Sequence, residues 1–213
     1  MNIRGAGPMT AEEARRLFER HGAILSGHFL LSSGRHSDRY VEKARILEHP
    51  EAAMALAGEI ASWYPEVEVV VAPAVGAIAL GFAVALAAGV RSMFAEREAG
   101  RMRLRRGFLL APGDRTLVVE DVVTTGASAR EVFELVGAAR ADRLGVAALI
   151  DRSAGPVGFP LRAVLRLEAS TWDPGACPLC RAGAPLESPG SRHLLGPRAG
   201  TPSREEAEPS TRS

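Results

Sequence analysis

Glutamine is absent from this chain of 213 residues, Asn2 is its only asparagine and Lys43 its only lysine. So few amides, with arginine carrying almost all the positive charge, fit a thermophile and an arginine-rich proteome from a GC-rich genome equally well. Cysteine is nearly as scarce: Cys177 and Cys180 are the only two, too few for a disulfide framework. No apolar run reaches the ~18 residues a membrane span needs, and Met1 to Thr10 lacks the apolar stretch of a secretory signal, so a cytoplasmic protein without a membrane partner is expected. A formal net charge of +1 argues against wholesale nucleic-acid binding. The balance nevertheless hides one cationic segment, Arg97, Arg101, Arg103, Arg105 and Arg106.

What is present is a soluble-globule composition, 46% hydrophobic and 24% charged, in a length that suits one α/β domain with a short extension. Thr10-Ala-Glu-Glu13 has capping-box spacing, and Ala14, Leu17, Phe18 and His21 recur at helical intervals before Gly22, which predicts a first helix. Phe29–Leu31 and Tyr40–Ala44 read as short strands around a polar turn, a small hood over about 22–48, and Pro50 opens a helix to about Trp63. Strands at Val67–Ala72, Ser92–Ala95, Leu117–Glu120 and Leu144–Ile150 then alternate with helices at about Gly76–Ala88 and Ser128–Ala139, with a long charged loop after Ala95. Such alternation implies βαβ units, hence a mainly parallel sheet covered by helices on both faces, with ligands at the carboxyl ends of the strands. The domain is expected over residues 1–186. From 187 to 213 the chain is rich in Pro, Gly, Ser, Arg and Glu without periodicity and reads as a disordered tail.

The most informative stretch is Leu117 to Ser128, LVVEDVVTTGAS. Glu120 and Asp121 stand where a parallel strand delivers side chains to the sheet's carboxyl edge, and Thr124, Thr125, Gly126, Ala127 and Ser128 form a small-residue loop opening onto a helix. Small residues let backbone N–H groups close on phosphate oxygens, the helix dipole favours the anion, and two acids accept hydrogen bonds from a sugar diol. Other phosphate loops are excluded. Gly76 and Gly81 have Walker-type spacing, but Phe82 and Ala83 occupy the positions of Lys and Ser/Thr, and no GxGxxG follows a strand.

This segment resembles the 5-phosphoribosyl 1-diphosphate (PRPP) motif of the type I phosphoribosyltransferases. Gly27–Ser37, Phe94–Glu98 with Leu104–Phe108, Ile150–Arg152, and Cys177–Cys180 with Pro189–Arg192 narrow the resemblance to the orotate phosphoribosyltransferases, over roughly Gly22 to Arg192. The resemblance implies a type I fold with an N-terminal hood, transfer of the phosphoribosyl group from PRPP to orotate, Mg²⁺ carried by substrate oxygens without a protein metal cage, and a homodimer. It further implies that Glu120 and Asp121 hold the ribose hydroxyls and that Val122, Val123 and Thr124 to Ser128 embrace the 5′-phosphate. Thr124, Arg152 and Tyr40 would lie at orotate, with Arg152 on its carboxylate. Arg97, with Arg101 or Arg103, would close over the neighbouring subunit's PRPP as a lid.

Two positions depart from the family pattern: Ser32 stands for a PRPP-binding lysine, and Val75-Gly76 for a Tyr-Lys pair. Arg35 and the lid arginines are the expected substitutes. The CxxC of Cys177 and Cys180 is half a zinc knuckle that His193 completes only with a partner chain, so reduced thiols are expected there. Two rivals share the fold. A purine phosphoribosyltransferase would not need Arg152 against a carboxylate, and a PRPP-sensing regulator needs a DNA-binding module, for which the ~25 residues before the hood are too few.

Overall fold

In the computed structural model, which describes residues 9–31, 33–168 and 170–189, α1 (Ala11–Arg20) starts at the expected capping box. The Thr10 hydroxyl accepts from Glu13 N at 3.2 Å, and Thr10 N donates to the Glu13 carboxylate at 2.8 Å, so two otherwise orphaned donors are satisfied. The hood follows as β1 (Ile24–Leu30) and β2 (His36–Val41), antiparallel and longer than expected. Then come α2 (Ala44–Leu47) and α3 (Pro50–Ser62).

The chain next alternates through β3 (Val69–Pro73), α4 (Ile78–Ala88), β4 (Arg91–Glu98), β5 (Arg101–Leu104), β6 (Arg115–Val123), α5 (Ala127–Ala138), β7 (Asp142–Asp151) and β8 (Leu161–Arg166). The six strands form one sheet of order β5-β4-β3-β6-β7-β8, parallel except at β5. Strand side chains alternate between faces. Val70, Leu117, Val119 and Leu149 pack with Leu56, Ile60, Leu80 and Val84 from α3 and α4, while Val69, Val71, Val118 and Val146 pack with Val132 and Val136 of α5. Both faces are thus dry, and polar chemistry is confined to the sheet's edges.

Four features differ from the sequence reading. The long charged loop is a hairpin: β4 runs on to Glu98, turns through Ala99 and Gly100 at positive φ, and returns as β5. Its charges mask a period of two in which Met102 is buried against the sheet. The strand β8 escaped notice because a bare loop, not a helix, joins it to β7. A third hood strand, β9 (Thr171–Trp172), comes from far along the chain and pairs with His36 and Ser37. Glu187, expected in the tail, also returns to the hood: its N–H donates to His28 O and its carbonyl accepts from Leu30 N, both at 2.8 Å. Residues 190–213 lie outside the described residues, as does Ser32.

Candidate functional site

β6 carries its two acids three and two residues short of its end, and the strand continues through Val123, so both carboxylates are held in sheet backbone. Glu120 is 8% exposed and Asp121 5%. Asp121 N donates to Glu120 Oε1 at 3.0 Å, and Val122 N to Asp121 Oδ1 at 2.6 Å. Beyond Val123 the loop reaches α5 through Gly126 at φ 71°, where a Cβ would press on Phe159 at 3.0 Å and Val157 at 3.2 Å. Only glycine meets both demands. Thr124 and Thr125 are exposed, and the Thr125 hydroxyl accepts from Ala127 N at 3.4 Å. The first-turn N–H groups of α5 lack helical acceptors, so the concavity of Glu120 and Val122–Ala129 is lined with donors at a helix N-terminus.

Burial first, and then the neighbouring charge of Asp121, push the Glu120 carboxyl up to about 8, against the opposing pull of Lys43. Its ordinary value is 4.5, so between those limits the folded chain binds a proton that the unfolded chain has released, and stability falls as pH rises through that window. At full effect the slope is about 1.4 kcal/mol per pH unit. Glu120→Gln is therefore expected to melt with wild type at pH 5 and clearly above it at pH 8.5. Thermal melts across this range check the assignment, and a difference independent of pH would contradict it.

Sequence reasoning missed the role of Lys43. The chain's only lysine follows the hood strand and places its ammonium on Asp121 Oδ2, a buried oxygen that accepts no directed hydrogen bond. Gly76 faces the same pair: a Cβ there would overlap the Asp121 carboxylate and lie 2.7 Å from Lys43 Nζ. A side chain at the position where the family pattern has a lysine would have to displace this pair, and an ammonium from the hood already stands in the space. The signal was present in the uniqueness of Lys43 beside the Gly76 departure. Lys43, Pro73, Ala74, Gly76, Asp121 and Ser128 line the adjoining part of the cleft. Arg35, the expected substitute, is instead tied within the hood, its Nη1 2.8 Å from Asp173 Oδ1 and its Nη2 2.9 Å from Thr171 O.

Arg152 lies where sheet and hood meet. Its N–H donates to Val123 O at 2.8 Å, and Nη2 reaches Ser37 Oγ and Arg39 O only at 3.5 Å each. Burial lowers its pKa, opposed by the nearby Asp38 and Tyr40, but a guanidinium stays charged. It is a half-buried fork with most of its donors weakly engaged. Tyr40 packs on Phe29 at a ring distance of 5.8 Å, and burial raises its hydroxyl pKa.

The arginines of the β4–β5 hairpin do not line this cleft in their own chain. Arg97 makes a forked pair with Glu131 of α5 at 2.8 and 3.1 Å and donates to Gly100 O at 2.6 Å. Arg106 forks onto Glu96 at 2.8 and 3.0 Å, and Arg103 and Arg105 share Glu98. Cys177 and Cys180 are free thiols, but they do not stand alone: His28 and His36 of the hood sit beside them. His193 lies outside the described residues.

No family model matches the chain. The orotate phosphoribosyltransferase of Caldicellulosiruptor bescii is 46% identical over 181 residues, 83% of this chain and 95% of its own length. That of Thermotoga maritima is 48% identical over 184 residues, 84% and 98% of the two chains. Among solved structures, the orotate phosphoribosyltransferase of Aeropyrum pernix superposes with a TM-score of 0.59 at 26% identity, covering 71% of this chain and 92% of that one. The sheet with its hood is the type I phosphoribosyltransferase fold, and the chain belongs to the orotate phosphoribosyltransferase family.

Proposed function

We propose that this chain transfers the 5-phosphoribosyl group of PRPP to orotate, releasing orotidine 5′-monophosphate and diphosphate, in the cytoplasm and as a homodimer. The observation that carries the reading is a cleft in which the Glu120–Asp121 pair, its Lys43 counter-ion and the Thr124–Ser128 loop follow one another, with the half-buried fork of Arg152 at the neighbouring strand end, where the sheet meets the hood. The loop and the α5 N-terminus suit a phosphate monoester, the two acids a ribose diol, and Arg152 with the hood the carboxylate of the base.

Displacement at the anomeric carbon builds cationic character on the sugar and negative charge on departing diphosphate. The side chains therefore act by position and field, and none needs to be a nucleophile. Lys43 supplies the fixed charge on the diphosphate side, and Asp121, joined by Glu120 once that carboxyl ionises near pH 8, the negative field beneath the ribose. Among the described residues the cleft offers a hard cation only these two carboxylates, already engaged by backbone N–H groups and Lys43. That donor set fits a Mg²⁺ ion brought in on substrate oxygens. When bound, the ion neutralises the leaving diphosphate.

Pairing with a second copy rests on α4, which is apolar all round. Phe82 and Leu86, each 61% exposed, extend a stripe with Ala79 and Val75 that no other element covers among the described residues.

Offering orotate, adenine and hypoxanthine in turn with PRPP and Mg²⁺, and measuring diphosphate release, tests the reading: only orotate is expected to turn over. Arg152→Ala should then raise the KM for orotate roughly 30- to 1000-fold, the ~2–4 kcal/mol of a lost forked charged contact, with far less effect on PRPP. Turnover with a purine, or equal effects on both substrates, would overturn the base assignment.

A further inference from the structure

The hood and the C-terminal segment meet at four side chains that the transfer reaction does not use. His28 comes from β1, His36 from the first position of β2, and Cys177 and Cys180 from the turn of α6 (Pro178–Arg181). One ligand atom from each lies within 4.8 Å of all the others. We propose that these four residues bind a structural Zn²⁺ that fastens the C-terminal segment to the hood.

The spacings are close to the edges of a coordination tetrahedron, with the two nitrogens nearer to each other than a bound ion would hold them. His28 Nε2 is 2.9 Å from His36 Nδ1, 3.4 Å from Cys177 Sγ and 3.6 Å from Cys180 Sγ, and His36 Nδ1 is 3.3 Å from Cys180 Sγ. Zinc bonds of about 2.0–2.1 Å to nitrogen and 2.3 Å to sulfur require edges of about 3.4 Å between nitrogens and 3.6 Å between nitrogen and sulfur. Hydrogen bonding accounts for only part of the convergence. His28 Nδ1 lies 3.0 Å from Ala184 O, a carbonyl that can only accept, so that nitrogen carries the hydrogen. Nε2 is left with one lone pair facing three neighbours, which hydrogen bonds cannot share with good geometry.

A cation accepts all four donors at once. The Ala184 contact then acts as the outer hydrogen bond that fixes the tautomer of a ligating imidazole. Two nitrogens and two sulfurs in a tetrahedron select zinc over harder ions, and four protein ligands leave no position for substrate, so the site is structural. Its separation from Glu120 and Asp121 follows from the elements that carry it: none of the four residues lines the cleft. It borders the base side nonetheless, since Ser37, which Arg152 approaches, follows His36 directly.

The test is metal analysis of the full-length protein purified under reducing conditions without added metal. About one zinc per chain is expected by elemental analysis, falling to background in Cys177→Ser/Cys180→Ser and in His28→Asn/His36→Asn, and unchanged in His193→Ala. Exchange of wild type with Co²⁺ should produce the intense visible bands of tetrahedral sulfur-ligated cobalt, a readout that needs no variant to fold. Chelation should lower the melting temperature, and Zn²⁺ alone should restore it. A metal-free reduced protein that neither takes up Zn²⁺ nor develops the cobalt bands would overturn the proposal. So would zinc retained in both double variants, or a Cys177–Cys180 disulfide that persists under reducing conditions.

Discussion

A chain carrying Glu120→Gln and Asp121→Asn together is expected to lose about a thousand-fold in turnover while folding normally. At pH 8.5, above the Glu120 titration, each carboxylate is the charged partner of a hydrogen bond to a ribose hydroxyl in the proposed complex, and such bonds contribute roughly 1.5–3 kcal/mol apiece. Two of them correspond to roughly two to four orders of magnitude in rate. The fold should survive because the amides keep the shape and the acceptors for the N–H groups of Asp121 and Val122. Glu120 is moreover a group whose ionisation opposes folding. The double variant should therefore keep the wild-type fold at pH 8.5, with the relief at Glu120 set against the lost Lys43–Asp121 pair, and be nearly inactive, a combination that misfolding cannot produce. Initial rates of diphosphate release, with melts on the same samples, measure both. Near wild-type turnover would remove the diol-clamp assignment.

The second large effect concerns the hairpin of β4 and β5. If it closes over the neighbouring subunit, mixing an inactive Asp121→Asn chain with an inactive Arg97→Ala/Arg101→Ala/Arg103→Ala chain should restore activity. Each mixed dimer then holds one site with intact acids and an intact donated lid. Half the dimers are mixed after full exchange, so the ceiling is about one quarter of wild-type sites. The geometry is compatible with a lid at rest. Arg97 is parked on Glu131 of its own α5, and exposed pairs of this kind are readily exchanged for a better anion. Continued inactivity, with subunit exchange confirmed by mass, would mean that the arginines serve their own subunit or only solvent.

Much of this was legible in the sequence because it is local. The alternation from Val67 to Ile150 carried the parallel sheet, since strands buried on both faces must be apolar throughout, and the run from Glu120 to Ser128 lies in one continuous stretch. What escaped depends on pairs far apart. β5 was hidden because surface charges outnumber the one buried methionine that marks its inner face. Lys43 could be counted but not placed, because only the folded hood brings its ammonium to Asp121. His28 and His36 could not be connected to Cys177 and Cys180, since ligands on a hairpin and on a distant turn leave no fixed spacing to read. Arg35 was expected near diphosphate from its charge alone, and Asp173, reached only through the β2–β9 pairing, claims it instead.

That pairing also orders events in time. In the proposed assignment, everything that grips the phosphoribosyl group, apart from Lys43, lies between Val69 and Asp151, a run of neighbouring βαβ units that can form as the chain leaves the ribosome. The wall that meets the base waits longer. The β1–β2 ribbon has only marginal stability as two strands, and its third strand, its Asp173 anchor and the Glu187 return arrive more than a hundred residues later. Closing so long a loop is slow relative to the local pairings of the sheet. A nascent chain halted before Thr171 would hold a phosphate cradle facing an unfinished hood, and choice among bases is the last property this polypeptide acquires.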